Sequence, residues 1–218
     1  MKFIAALYVV KDGCYFGIPG VDPWDKDRDA RQYEGPHPVV AHPPCERWGR
    51  YWGGAPLTFP RLKKGDDQGC FAAALEAVRR FGGVLEHPEG SAAWPHFCIA
   101  RPPRTGGWIA ADHHAGFDGW TCAVEQAHYG HRARKLTWLY AHGVDLPELK
   151  WGRAPGEYVP FEDGYHSKEE RRRAVRTGAC QRLSKNQRMA TPLPFRDLLI
   201  SIARTSAPPA CKRESEAG

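Results

Sequence analysis

Apolar residues along this chain fall into short continuous runs, which are typical of buried β-strands. The run at residues 3–10 predicts a first strand, and the run at residues 38–41 predicts a second strand that stops before His42-Pro43-Pro44. Later runs predict three further strands, at residues 84–85, 121–126 and 136–140.

Residues 71–78 show the periodicity of an amphipathic helix. Phe71, Leu75 and Val78 recur at i, i+4 and i+7, and the Gly82-Gly83 pair is expected to end the helix. A preceding aspartate is expected to cap its first turn. Because strand, helix and strand follow one another here, the sequence predicts an α/β fold with a small Rossmann-like, mostly parallel sheet.

The C-terminal part of the chain predicts two more helices, at residues 167–176 and 194–204. In the second of these we expect Leu198, Leu199 and Ile202 to be buried. Long Gly- and Pro-rich stretches are expected to be loops, at residues 11–36, 89–119 and 150–166.

The 218 residues are enough for one domain with its own core. We expect a single α/β domain of catalytic type over residues 1–205 and a disordered tail over residues 206–218. The first apolar run is too short for a signal peptide, and no run approaches the roughly 20 residues that span a bilayer. The expectation is a cytoplasmic protein without a membrane partner.

The seven cysteines are scattered along the chain without a C-x-x-C pair. A disulfide framework is therefore not expected, and neither is a zinc site, which needs closely spaced ligand pairs. His113 and His114 are adjacent, so their rings point in different directions rather than at one ion. No metal is expected.

The net charge of +6 is concentrated in two basic clusters. The first cluster consists of Arg132, Arg134 and Lys135, and the second consists of Lys168, Arg171, Arg172, Arg173 and Arg176. A solvated helix face would explain one such cluster. Several clusters on a small protein favour a polyanionic partner such as DNA or RNA.

Cys45 is the strongest candidate for chemistry, because it follows directly after a predicted strand. Ligands of parallel α/β sheets bind beyond the carboxyl ends of the strands, and Glu86 lies at such an end on a neighbouring strand. Arg47 and Arg50 are close to Cys45 in sequence, and electropositive surroundings favour a reactive thiolate. The alternative is that Cys45 is a small residue buried below a loop, as free cysteines often are.

Three segments, in this order, resemble motifs of the DNA cytosine-5 methyltransferases. Pro43-Pro44-Cys45 after an apolar strand resembles their catalytic loop, and Leu85-Glu86-His87-Pro88 resembles their Glu-Asn-Val motif with His87 in place of asparagine. Gln126 with Arg132 and Arg134 is similar to their Gln-x-Arg-x-Arg strand at a different spacing. The resemblance covers about residues 38–140 and implies a divergent, methyltransferase-like form of the α/β fold.

The resemblance also implies a mechanism. The Cys45 thiolate would add to carbon 6 of a pyrimidine, most simply a cytosine flipped out of DNA, while Glu86 contacts the ring. Carbon 5 would then accept a methyl group from S-adenosylmethionine, and Arg132 and Arg134 would position phosphate or substrate. Further substrate contacts are expected from the residues around these motifs, with aromatic side chains such as Trp48, Tyr51 or Trp52 stacking on the base. The candidate substrate-binding residues are His42, Pro44, Arg47, Trp48, His87, Gln126 and Lys135.

The cofactor motif of that family, a Gly-rich Phe-x-Gly-x-Gly loop after the first strand, is not recognisable. The nearest segment, residues 16–22, contains Pro19 and ends at Asp22. Asp22 is the candidate for the acidic residue that binds the cofactor ribose, although an aspartate in a Gly- and Pro-rich loop is commonly a turn former. The catalytic half of the resemblance is therefore the more complete half.

Two alternatives remain open on the sequence. A cofactor-independent enzyme that modifies a free pyrimidine nucleotide would explain the missing Gly-rich loop. A catalytically inactive relative that binds DNA or inhibits a restriction enzyme would explain the basic clusters. The compact chain and unorthodox motifs would suit a phage gene.

Overall fold

The computed structural model describes residues 2–50, 52–53, 62–111, 118–156, 168–177 and 183–207. Tyr51, His113, His114 and most of the tail expected at residues 206–218 lie outside the described residues.

A seven-stranded mixed sheet lies at the centre of the fold. Its strands in chain order are β1 (Ile4–Leu7), β2 (Val21–Trp24), β3 (Val39–Ala41), β4 (Gly83–Pro88), β5 (Ile109–Ala110), β6 (Trp120–Glu125) and β7 (Leu136–His142). Their spatial order is β2-β1-β3-β4-β7-β6-β5. The first four pair in parallel, and the pairs β4–β7, β7–β6 and β6–β5 are antiparallel. β1, β2, β3, β4 and β6 run in one direction, and β5 and β7 run in the other. The predicted α/β class with a mostly parallel, Rossmann-compatible sheet is therefore confirmed.

The helices are α1 (Cys70–Phe81), α2 (Ala93–His96), α3 (Lys168–Thr177), α4 (Lys185–Met189) and α5 (Leu193–Arg204). The N-cap residue of α1 is Gly69 rather than an aspartate, but the Asp67 carboxylate supports the first turn by accepting from the backbone N–H groups of Gly69 at 3.0 Å and Phe71 at 2.8 Å. Gly82 ends α1 with a positive φ of 77°. Among the described residues, no helix is long and apolar enough to cross a membrane.

The sheet is covered on both faces. One core packs α1 against strand residues such as Leu85, and the other packs α5 against residues such as Val84. Leu85 and Val84 are neighbours in β4 and point to opposite faces, as alternation along a strand requires. Of the α5 residues predicted to be buried, Leu199 and Ile202 are buried, whereas Leu198 is partly buried.

Two stretches predicted to be loops contain regular structure, and one helix was not predicted. Residues 11–36 contain β2, residues 89–119 contain α2 and β5, and α4 was not predicted at all. The reason is clearest for β2, an edge strand with the sequence Val-Asp-Pro-Trp that is only partly buried and shows no apolar run. Proline is tolerated there because an edge strand leaves one row of N–H groups unpaired in any case.

We predict that Gly83→Ala strongly destabilises the protein. Gly83 pairs with Val39 across β3 and β4 at a φ of +132°, and an added Cβ would overlap the Val39 backbone. Backbone strain of this kind costs about 1–3 kcal/mol before any displacement of β3 is counted. Urea unfolding should show a larger loss of stability than in the control Gly90→Ala. Gly90 also has a positive φ, of 75°, but no neighbour within 4 Å of the added Cβ. Equal losses in the two variants would contradict this account of the contact between β3 and β4.

Candidate active site at the carboxyl end of the sheet

Glu86 is the charged centre of the site. It lies near the carboxyl end of β4, and the residue is 9% exposed. Both of its carboxylate oxygens accept hydrogen bonds: Oε2 pairs with Nδ1 of His42 at 3.0 Å, and Oε1 accepts from Nε2 of Gln126 at 3.1 Å. The residue predicted as the ring partner is therefore fixed in orientation by two neighbours.

These bonds continue on both sides of Glu86. The Tyr15 hydroxyl lies 2.7 Å from Nε2 of His42, and Nε2 of Gln126 also donates to the Thr137 hydroxyl at 2.9 Å. We call Tyr15, His42, Glu86, Gln126 and Thr137 the carboxylate network. Because the Glu86 carboxylate can only accept, Nδ1 of His42 is the donor in their hydrogen bond. Burial raises the pKa of Tyr15, which keeps its hydroxyl protonated as a donor.

The network keeps Glu86 ionised. Burial by itself would raise the pKa of this carboxyl, because the charged form loses its hydration. The hydrogen bond from His42 and the positive charge of Lys135 more than compensate, and the pKa of Glu86 falls to about 2. At neutral pH Glu86 is therefore a hydrogen-bond acceptor and not an acid.

Cys45 lies at the start of a tight turn that follows β3. Its carbonyl oxygen accepts from the backbone N–H groups of Trp48 at 3.1 Å and Gly49 at 2.6 Å. The Trp48 indole donates to Oδ2 of Asp67 at 2.7 Å, and this is the same aspartate that caps α1. The turn that carries the thiol is thereby attached to the beginning of α1.

The thiol of Cys45 is half-buried, and burial raises its pKa. The carboxylates of Glu46 and Glu86 raise the pKa further, whereas Lys135 lowers it. Cys45 follows β3 and Glu86 lies near the end of its parallel neighbour β4, so the two residues lie at the same edge of the sheet. The raised pKa means that Cys45 is a neutral thiol at pH 7 before a ligand binds.

Two predicted substrate contacts are corrected by the structure. Trp48 is 3% exposed and packs on Phe71, so it does not offer a free face for a base. His87 is fully buried beside Phe71 and Trp94, so its ring is not accessible to a substrate. Both side chains lie in the core between the sheet and α1.

The remaining predicted residues differ in their environments. Gln126 is fully buried and contacts Glu86, so it supports the carboxylate from within the protein. Beside Cys45, Pro44 is exposed and Arg47 is partly buried, so both predicted contacts have accessible surface next to the thiol. Trp52, another predicted stacking residue, is partly buried.

The basic residues after β6 have unequal roles. Arg134 donates to the Glu125 carboxylate at 3.3 Å and to the carbonyl oxygens of Ala154 at 2.7 Å and Gly156 at 3.0 Å. Its guanidinium therefore holds the chain after β7 in place. Lys135 donates to carbonyl oxygens at the end of α4, at 3.3 and 3.4 Å, while its charge acts on Glu86. Arg132 is exposed.

Sequence reasoning did not identify Tyr15 or Thr137. Tyr15 lies in a Gly-rich segment and contacts His42 across 27 residues of chain, so no local pattern points to it. Thr137 carried a usable signal: it lies two positions before the buried Leu139 in β7 and so faces the same side of the sheet.

The residues around β1 and β2 do not fit the cofactor site that the resemblance implies. Residues 8–20 join these parallel strands without a helix, so no helix N-terminus follows β1. Asp22 lies within β2, which corrects its interpretation as a turn former, and its carboxylate accepts from Arg28 and from the Trp24 indole. Within the described part of the chain, no group of three or more His, Cys, Asp or Glu side chains is placed to hold a metal ion.

Comparisons with protein-family models, with curated proteins and with solved structures give no match to this chain. The case for a function therefore depends on the geometry and charge of the site.

The charges around Cys45 predict how its reactivity responds to mutation. Glu46→Gln removes a charge that raises the thiol pKa and should speed alkylation of Cys45 by iodoacetamide at pH 7 a few-fold, because the thiolate is the reactive form. Lys135→Met should slow the reaction. The rates are measured by mass spectrometry of the Cys45 peptide, with the exposed Cys98 as internal reference. Identical Cys45 rates in the three proteins would contradict the assigned electrostatics.

The burial of His87 predicts a pH dependence of stability. Burial lowers its pKa from 6.5 to about 4, against the opposing effects of Glu86 and the Pro44 carbonyl. The unfolded state therefore binds the proton first as the pH falls, and this contribution is complete above pH 6.5 and lost toward pH 4. The free energy of unfolding of His87→Leu should consequently fall less between pH 7.5 and 5 than that of the wild type. Parallel curves in urea titrations would show that His87 does not carry this dependence.

Proposed function

We propose that this protein is an enzyme acting on a pyrimidine base, in which Cys45 attacks carbon 6 and Glu86 holds the ring. The observation that carries the proposal is the placement of Cys45 after β3 and of a hydrogen-bonded Glu86 near the end of β4, at the same edge of two paired parallel strands. A cysteine next to a fixed acceptor matches what conjugate addition to a pyrimidine needs, namely a nucleophile and a group that orients the ring.

The chemistry consists of an addition and its reversal. As substrate binds, the thiol loses its proton to the medium and Sγ forms a bond to carbon 6. The electrons of the 5,6 double bond move to carbon 5, which takes up a proton. In the reverse direction carbon 5 loses a proton, the Sγ–carbon 6 bond breaks, and the double bond is restored.

A polyanionic substrate, DNA or a pyrimidine nucleotide, is supported by the distribution of positive charge. Arg132 is exposed, and the exposed side chains of α3 include several cations. Those cations are Lys168, Arg172, Arg173 and Arg176. Such side chains suit contacts to phosphate, which fix position without reading sequence.

We propose no step through S-adenosylmethionine, which the resemblance implies would donate a methyl group to carbon 5. The described residues around β1, β2 and Asp22 do not fit that cofactor. Attack at carbon 6 needs no cofactor, because solvent can supply the proton to carbon 5.

A second candidate is a nucleic-acid-binding protein without catalytic activity, such as one that blocks a restriction enzyme. It is favoured by the raised pKa of Cys45, which leaves the thiol protonated at neutral pH. The same basic surface would then bind DNA while Cys45 and Glu86 do no chemistry.

Hydrogen exchange at carbon 5 tests the enzyme directly. In D₂O the protein should exchange the carbon 5 hydrogen of cytosine for deuterium, because addition and reversal pass through a carbon 5 that takes up solvent protons. The substrates are single-stranded DNA, duplex DNA and deoxycytidine monophosphate, and the readout is mass spectrometry of the nucleosides. A parallel reaction with S-adenosylmethionine reports 5-methylcytosine if the methyl transfer occurs.

Cys45→Ser should abolish the exchange, and Glu86→Gln should reduce it by roughly 100-fold or more, the usual scale for a misplaced catalytic interaction. Cys98→Ser is the matched control, because it removes an exposed cysteine outside the carboxylate network. Exchange that survives in Cys45→Ser would refute the proposal. DNA binding without exchange by the wild type would favour the second candidate.

A further inference from the structure

Tyr15 and His42 form a hydrogen-bonded arm that ends on Glu86, and neither residue is used by the chemistry described above. The arm joins the segment between β1 and β2 to the ends of β3 and β4 through contacts of 2.7 and 3.0 Å. The rings of Tyr15 and His42 also pack against one another, with centroids 5.3 Å apart.

We propose that Tyr15 and His42 are positioning residues, which hold Glu86 in a single orientation as a hydrogen-bond acceptor for the substrate ring. The role toward a substrate rests on the proposed function, whereas the orientation of the Glu86 carboxylate is a property of the free protein. Each of these two residues thus has a stated task.

The argument begins with the two oxygens of Glu86. His42 engages Oε2 and Gln126 engages Oε1, so rotation of the carboxylate would break both bonds. Gln126 is itself fixed by Thr137, and His42 is fixed by Tyr15. Each partner of the carboxylate is therefore supported by a further residue, which is how catalytic groups are kept within the small tolerance that reactions need.

The direction of donation to Glu86 follows from its ionised state. A carboxylate can only accept, so Nδ1 of His42 and Nε2 of Gln126 are the donors to its two oxygens. Tyr15 is 3% exposed, and its hydroxyl lies 2.7 Å from the other ring nitrogen of His42. The contacts of His42 and Gln126 thus leave Glu86 with acceptor capacity alone.

Other charged and titratable groups also act on this arm, and a test must take them into account. Lys135, Cys45 and His87 surround Glu86, while Cys14, Arg196 and Asp197 act on Tyr15. Lys135 lowers the pKa of Glu86 as His42 does, so it offers a comparison in which the charge is removed and the arm is kept.

The consequence for the substrate is a requirement on its hydrogen-bonding edge. A ring that meets Glu86 must present an N–H group, such as the exocyclic amine of cytosine or the ring N–H of a uracil-type base. A pyrimidine edge with acceptors only would face the carboxylate unfavourably.

The test is the infrared titration of Glu86 in D₂O, with the signal assigned by subtraction of Glu86→Gln. In the wild type the carboxylate bands should persist to low pH, because the pKa of Glu86 is about 2. In His42→Phe the hydrogen bond and charge of His42 are lost while burial remains, so the protonated-carboxyl band should appear at a higher pH than in the wild type. Tyr15→Phe should move the pKa of Glu86 in the same direction by less.

Tyr33→Phe is the matched control, because its buried hydroxyl donates to the His37 carbonyl away from the network. His42→Asn serves if His42→Phe does not fold, as judged by near-ultraviolet circular dichroism. An unchanged Glu86 titration in both folded arm variants would overturn the proposal.

The exchange reaction supplies the second readout. In His42→Phe, kcat should fall by up to about 100-fold, because the Glu86 carboxylate would be misplaced. The remaining activity should also decline at acidic pH, where the activity of the wild type does not. If the wild type catalyses no exchange, the proposed function fails, and the infrared titration still decides whether Tyr15 and His42 position Glu86.

Discussion

The burial of one carboxylate organises this protein. A carboxylate removed from water is costly unless hydrogen bonds and nearby charges replace its hydration. Glu86 receives its replacements from three separate parts of the chain: the end of β3, the end of β6 and Lys135 before β7. The mixed sheet is therefore more than a scaffold here, since the antiparallel strands β6 and β7 bring Gln126 and Lys135 to the same edge as the parallel strands.

Cys45 has a different kind of support. The turn after Cys45 is held through Trp48, whose indole reaches the aspartate that also caps α1. Asp67 thus serves helix initiation and loop placement with one carboxylate. The thiol itself is left in surroundings that disfavour its ionisation, because burial and the carboxylates of Glu46 and Glu86 outweigh the contribution of Lys135. Site geometry and thiol activation are separate properties, and only the first is built into the free protein.

The sequence predicts the elements whose pattern is local. Apolar runs or helical spacing predict β1, β3, β4, β6, β7, α1 and α5. The predicted parallel arrangement also places Cys45 and Glu86 at one edge of the sheet. Prediction failed where long-range contacts decide. Trp48 looked exposed in a basic, aromatic loop, but its partner is 19 residues away, and Tyr15 meets His42 across 27 residues. β2 was missed because a partly buried edge strand with a proline has no periodic signature.

The attachment of the Cys45 turn to α1 has a consequence for the proposed substrate. A loop that is bonded through Trp48 to a helix start cannot swing toward a stacked base without breaking that link. For the proposed nucleic-acid substrate, the conformational cost of the encounter would fall on the nucleic acid, in the form of lost base stacking and pairing, which amounts to a few kcal/mol per base. Bases that are already unstacked, in gaps, bubbles, mismatches or free nucleotides, would enter at lower cost, so strand opening would control access to this thiol.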